Sequence, residues 1–228
     1  MQIQDGISTK LNHSANLNPK AFTMIDLLAL VGIVLLLASI VLPAVSSHRR
    51  KAKAEACKDD LKQIGVAFRT WALDCGDAYP SRVTIDNGGA KEQIELGNVF
   101  FNFLVMSNEI GSPKILVCPE DIEKTAIDNF TPALSNTNVS YFVGADAEDT
   151  FPQMLLTGDR NLAFQGKPVG PGLFPATSNK IALSWTKTIH NERGNIGLAD
   201  GSVQTLDSKR LALAAAGQDY ATNRLAIP

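Results

Sequence analysis

The chain lacks the marks of the commonest catalytic and nucleic-acid-binding classes. It has no P-loop, no dinucleotide-binding glycine fingerprint and no nucleophile motif, so no catalytic residue and no resident cofactor is expected. Its 21 Lys and Arg nearly balance 23 Asp and Glu, leaving a formal charge of −2. No basic tract is interleaved with aromatics, which removes the electrostatic footprint of a DNA or RNA partner. Cysteine is scarce: Cys57, Cys75 and Cys118 are odd in number, widely spaced and form no CxxC pair, which excludes a disulfide framework. On one continuous helix Cys57 and Cys75 would stand roughly 27 Å apart, beyond bridging distance. Bridges from Cys57 or Cys75 to Cys118 stay open, but the expectation is three buried or free thiols acting as small hydrophobes.

What the chain does have is one long apolar run. Residues 27–45 carry no charge, and with 22–25 the run is broken only by Asp26. About 20 such residues form a helix of roughly 30 Å, enough to span a bilayer. A carboxylate inside such a run costs about 2.5 to 3.5 kcal/mol at the membrane centre and calls for a partner. The run exits into Ser46-Ser-His-Arg-Arg-Lys-Ala-Lys53, without the short apolar region and small-residue cleavage site of a secretory signal. Residues 1–21 are polar and aperiodic and read as a disordered leader.

Lys20-Ala-Phe-Thr-Met-Ile-Asp-Leu-Leu28 resembles the prepilin processing site, in which a small residue precedes a Phe that becomes the new N-terminus. Asp26 falls four residues after Phe22, where the family carries Glu, and Pro43 falls where many members carry a helix-kinking Pro. Ala21 stands where Gly is usual. The resemblance implies cleavage between Ala21 and Phe22 by a membrane-embedded prepilin peptidase, with N-methylation of the new Phe22 amine by the same enzyme. Asp26 would then pair with a Phe22 amine, its own or a neighbouring subunit's, and neutralise both charges inside an apolar bundle. Pro43 removes one backbone hydrogen bond and would bend the helix.

A second resemblance lies near the C-terminus. His190 is followed after nine residues by Asp200-Gly201, which looks like the H-X9-DG segment found at the end of many prepilin-type proteins. Leu116-Val-Cys-Pro119 resembles another short element of that group. An imidazole and a carboxylate invite a metal or a catalytic pair, but a structural role accounts for both. Asp200 suits a hairpin turn, and His190 a strand end where it bonds the loop backbone. No metal ligand is assigned.

Between these segments the pattern continues as helix and then as sheet. Leu61, Ile64, Phe68, Trp71 or Ala72, Cys75 and Tyr79 recur at helical spacing, giving an amphipathic helix that ends at Tyr79-Pro80. A second helix is expected over 93–110, stopped by Gly111. Short strands are expected at 114–117, 139–143, 154–157, 181–185, 196–199 and 202–206, paired antiparallel. Asp200-Gly201 is expected to form a type I′ hairpin turn. A short helix over 209–216 would be capped by Asp207-Ser208 and ended by Gly217, leaving a loose polar tail. Asp146, Glu148 and Asp149 read as a solvated acidic loop rather than a calcium site, and Gly158-Asp-Arg160 as a buried ion pair.

The expected fold is α+β and pilin-like, a long N-terminal helix packed on a small antiparallel-sheet head. The expected divisions are a cytoplasmic leader (1–21), a transmembrane helix (22–45), its amphipathic extension (46–79) and a head (80–228). The function implied is a structural pseudopilin or minor pilin subunit of a type II secretion or type IV pilus-like filament, whose partners are the prepilin peptidase, other pilin-like subunits and the membrane. The alternative is a membrane-tethered module, for polysaccharide for example, that uses the pilin N-terminus only for delivery. The positive charge after the span, from His48 to Lys58, favours a cytoplasmic C-terminus. Leader cleavage requires the opposite, a cytoplasmic N-terminus and a periplasmic head on the inner membrane, and that arrangement is preferred.

Overall fold

The computed structural model describes residues 23–176, 183–216 and 223–228. The chain divides into two units, Met1–Ser46 and Ser47–Pro228, and each is described by itself. Helix α1 runs over Met24–Asp74. Its start is fixed by a reciprocal cap: Asp26 N–H donates to Thr23 Oγ1 (3.3 Å), and Thr23 N–H donates to Asp26 Oδ2 (3.0 Å). This satisfies amides that have no partner in the first turn. In the first unit, Met24–Leu42 is long and apolar enough to cross a membrane. Pro43 lies within α1.

In the second unit α1 is amphipathic, as its spacing requires. Cys57, Leu61, Ile64, Ala67, Phe68, Trp71 and Ala72 are buried, whereas Val66 and Leu73 on the opposite side are exposed. Phe68 meets the rings of Tyr79 and Phe103 edge-on at 5.7 and 6.2 Å. Each large apolar side chain buried this way stabilises by about 1.5 to 3 kcal/mol.

Three short helices follow: α2 (Lys91–Glu95), α3 (Val99–Val105) and α4 (Ser107–Ile110). They replace the single helix expected over 93–110. Gly97, at φ 80°, leaves the right-handed region there and breaks it. Gly111 does end α4, at φ 72°. Pro113–Leu116 forms a 3-10 turn rather than a strand, because Pro at its start fixes φ and has no amide to donate to a sheet.

The strands are β1 (Tyr141–Gly144), β2 (Leu155–Asp159), β3 (Leu162–Phe164), β4 (Lys167–Pro168), β5 (Gly172–Pro175), β6 (Leu183–Trp185), β7 (Arg193–Leu198), β8 (Val203–Asp207) and β9 (Arg224–Ile227). The larger sheet has the order β5-β9-β1-β2-β7-β8 and the smaller β4-β3-β6, with every pairing antiparallel. The fold is α+β, as expected. Helix α5 (Ser208–Ala216) starts where Asp207 Oδ1 accepts the Arg210 amide at 2.8 Å. Gly217 lies outside the described residues.

The larger sheet is covered on both faces. Tyr141, Val143, Leu156 and Ala226 join the core under α1, whereas Phe142, Leu155, Ile196, Leu225 and Ile227 join a second core with Leu211 of α5. Alternate residues of one strand thus feed different cores. This overturns the loose tail. Residues 224–227 are an interior strand between β5 and β1, with Leu225, Ala226 and Ile227 buried. Arg224 locks it in place, its guanidinium bonding Asp146 at 2.6 to 3.2 Å and Glu95 at 2.8 Å. Asp146 is therefore buried and paired rather than part of a solvated loop, with the Arg224 bonds holding its carboxyl below the usual range against the opposing effect of burial. Glu148 pairs with Arg82.

Candidate functional site

The segment from His190 to Gly201 is held at both ends against the α1 core. At the Asp200 end, Gly201 N–H donates to Leu198 O and Leu198 N–H to Ser202 O, both at 2.9 Å. Gly201 has φ 83° while Asp200 has no positive φ. The connection is a three-residue turn with a left-handed glycine, not the expected type I′ turn. Asp200 Oδ1 accepts the Ser202 amide at 2.8 Å. The turn's carbonyls face α1 and the segment just beyond it: Arg69 Nη1 donates to Asp200 O and Tyr79 Oη to Ala199 O, both at 2.6 Å.

At the other end His190, Asn191 and Glu192 all have positive φ, 53°, 50° and 64°. Each such non-glycine residue costs on the order of 1 to 3 kcal/mol, so the surrounding structure must fix it. Asn161 does much of this, its Nδ2 donating to Ile189 O at 2.8 Å and to Thr186 O and Arg193 O at 3.3 Å. The turn drives the His190 ring inward to 5% side-chain exposure. Its contacts are side chains, not the loop backbone that was expected. Nδ1 lies 2.8 Å from Glu120 Oε2; an ionised carboxylate only accepts, so the imidazole donates there. Nε2 then faces Cys118 Sγ at 3.4 Å and Asp159 Oδ2 at 3.6 Å.

Cys118 is disulfide-bonded to Cys57 of α1, with Cα atoms 5.1 Å apart, and Cys75 is free. The expectation of three free thiols is thus overturned. Sequence spacing cannot show that 3-10 turn and helix bring residues 118 and 57 together. Asp159 is fully buried, and burial pushes its carboxyl up to about 6 against the opposing pull of His190 and of the Asn195 amide, which donates to Oδ2 at 2.6 Å. Its Oδ1 is buried with no hydrogen-bond partner among the described residues. The ion pair expected within Gly158-Asp-Arg160 does not form between those residues. Arg160 forks instead onto Asp121 at 2.7 and 2.8 Å and reaches Glu123 at 2.6 Å, because neighbouring strand side chains point to opposite faces.

Beside His190 opens a groove of about 640 Å³ lined in part by Arg50, Lys51, Glu55, Glu120 and Arg193. Of the residues singled out in the sequence, Ala21 and Phe22 lie outside the described residues. Asp26 is exposed in the first turn of α1, and Pro43 is remote in sequence from the His190 cluster. Thr23, Glu120 and Asn161 were missed, and Asp159 was named only as a member of a buried ion pair, not as a neighbour of His190. Only Thr23 carried a signal, the Thr-x-x-Asp spacing of a capping box.

A stretch of 60 residues is 40% identical to the type II secretion system core protein G of Pseudomonas aeruginosa, covering 26% of this chain and 42% of that protein. The chain therefore spans about two fifths of the length of the curated relative it matches. No family model and no solved structure matches the chain.

Proposed function

We propose that the chain is a pilin-like subunit, a pseudopilin or minor pilin, of a type II secretion or type IV pilus-like filament. The observation that carries this reading is the 40% identity over 60 residues to a type II secretion core protein. It is supported by an N-terminal helix whose Met24–Leu42 stretch can cross a membrane. Prepilin peptidase trims the chain between Ala21 and Phe22 and methylates the Phe22 amine. The helix holds the subunit in the inner membrane until assembly, with the head in the periplasm.

Asp26 then has two tasks. Through Oδ2 it caps its own helix, accepting from Thr23 N–H and Oγ1 at 3.0 and 2.8 Å. Through Oδ1 it meets the cationic Phe22 amine of a neighbouring subunit, so that only one axial register neutralises both charges. Mass spectrometry of the mature chain tests the reading. An N-terminus at N-methyl-Phe22 is expected, and an intact Met1 start in cells that process other prepilins overturns it.

A further inference from the structure

Cys57, Cys118 and His190 bring their ligand atoms within 4.8 Å of one another. Asp159 Oδ2 is 3.6 Å from His190 Nε2, and Asp159 Oδ1 is buried without a hydrogen-bond partner among the described residues. From this convergence we infer a redox-gated transition-metal site: with the Cys57–Cys118 disulfide reduced, the two thiolates, His190 Nε2 and Asp159 bind one Zn²⁺.

The donor set is the one zinc prefers, two sulfurs, an imidazole nitrogen and a carboxylate oxygen. Tetrahedral bonds of about 2.3 Å to sulfur and 2.0 to 2.1 Å to nitrogen and oxygen put donors about 3.4 to 3.8 Å apart. His190 Nε2 already stands 3.4 Å from Cys118 Sγ and 3.6 Å from Asp159 Oδ2. The two sulfurs, once released from each other, must separate, and Asp159, which lies beside the imidazole but outside the 4.8 Å cluster, must close on the metal. The cation would also supply Asp159 with the charge that its buried surroundings withhold.

The imidazole is already oriented for the task. Glu120 accepts a hydrogen bond from Nδ1–H at 2.8 Å, and the neutral imidazole held in that tautomer presents its Nε2 lone pair to the sulfurs, the carboxylate–histidine–metal arrangement in which an outer carboxylate fixes the tautomer. The left-handed run at residues 190–192 is backbone strain placed where a side chain must be aimed. In the oxidised state neither sulfur is a thiolate, so the site is closed by the bond itself.

The electron balance needs a reductant, and a phosphine supplies it. One phosphine takes oxygen from water to become its oxide and delivers two electrons and two protons to the disulfide, giving two thiols. Metal binding then releases both thiol protons to solvent. The inference is independent of how the subunit assembles.

The test uses the full chain in detergent, with Co²⁺ as spectroscopic probe and Zn²⁺ as competitor. After phosphine treatment, one equivalent of Co²⁺ should give thiolate-to-cobalt charge transfer with tetrahedral d–d bands, bleached by one equivalent of Zn²⁺. The oxidised chain, which needs no substitution to stay folded, should give neither. Cys75→Ser should bind as the parent does, and Cys118→Ser and His190→Ala should lose the charge-transfer spectrum. Glu120→Gln, which touches no metal, should weaken binding about 10- to 100-fold while leaving the d–d bands in place. Four results would overturn the site: no band at stoichiometric metal, an undiminished band in Cys118→Ser, equal binding by the oxidised chain, or a reduced head that unfolds and does not recover its near-ultraviolet circular dichroism with Zn²⁺.

Discussion

One helix contains two regions with opposite fates. Leu30, Ile33, Leu36 and Ile40 are 54 to 64% exposed, whereas Leu61, Ile64 and Phe68 of the same helix are fully buried. Their side chains are equally apolar, so hydrophobicity does not decide which is covered. The difference is supply: the later turns meet a head that contributes Phe103, Tyr141 and Val143 to the same core, and in the earlier turns every large apolar side chain from Met24 to Leu42 is exposed. An apolar surface that continuous is far larger than a soluble monomer leaves open. The apolar pattern of the first region is thus written for a partner outside the chain, and that of the second for the chain itself.

The largest test of the contrast compares two truncations in the full chain in detergent, followed by denaturant unfolding and the fluorescence of Trp71 and Trp185. Phe68→Ala should cost the head about 3 to 5 kcal/mol, the range for emptying a large buried site. Leu35→Ala, at 65% exposure, should stay within about 0.5 kcal/mol. A loss above about 1 kcal/mol for Leu35→Ala would mean that the head's stability reaches into the first region, and the contrast would fail.

Of similar size is the cost of reducing the disulfide in the presence of a chelator. Cys57 and Cys118 are 61 residues apart, and releasing a loop of that length returns about 4 kcal/mol of chain entropy to the denatured state. The measurement is the same unfolding curve with and without phosphine. A loss below about 1 kcal/mol would mean that the reduced chain keeps these segments together when denatured. Smaller still is the effect of Tyr79→Phe, which removes the 2.6 Å bond to Ala199 O and keeps the ring. About 1 to 2 kcal/mol should be lost, since a buried carbonyl is left without its donor.

Local signals were legible where one period dominates. The buried stripe from Leu61 to Ala72, the place of the turn at Asp200-Gly201 and the strands around 141, 155, 196 and 203 follow from spacing and turn residues, but the helix stops at Asp74 rather than at Tyr79-Pro80, because Gly76 and Asp77 turn left-handed at φ 70° and 60°. What was not legible depends on long-range pairing. Residues 224–227 look unremarkable because the partners that make them a strand, β5 and β1, lie elsewhere in the chain. Asp146 looks solvated until Arg224 arrives. Of the candidate site, His190 and the Asp200 turn were visible as a motif. Glu120 and Asn161 were not, nor was the place of Asp159 beside His190, since each acts through a residue at least 25 positions away.

The smallest expected effect separates two adjacent acids on α1. Asp59 is exposed and bonded to Lys62 at 2.7 Å, which holds its carboxyl below the usual range. Asp60 is half-buried, and burial together with the charge of Asp59 raises it from 3.8 to about 6. Between those two values the folded chain binds more protons at Asp60 than the unfolded chain does, so this residue's contribution falls as pH rises. Its stabilising effect is complete below about pH 4 and gone above about pH 6. The full shift corresponds to about 3 kcal/mol; discounted for solvent screening at a half-exposed group, about 1 kcal/mol is expected. Asp60→Asn should therefore stabilise the head by about that amount at pH 7 and by nearly nothing at pH 4. Asp159 titrates in the same window but is present in both proteins and cancels in the difference. A gain that does not change between pH 4 and 7 would assign the effect to helix propensity rather than to the buried charge, and would show that Asp60, like Asp59, belongs to the solvated side of α1.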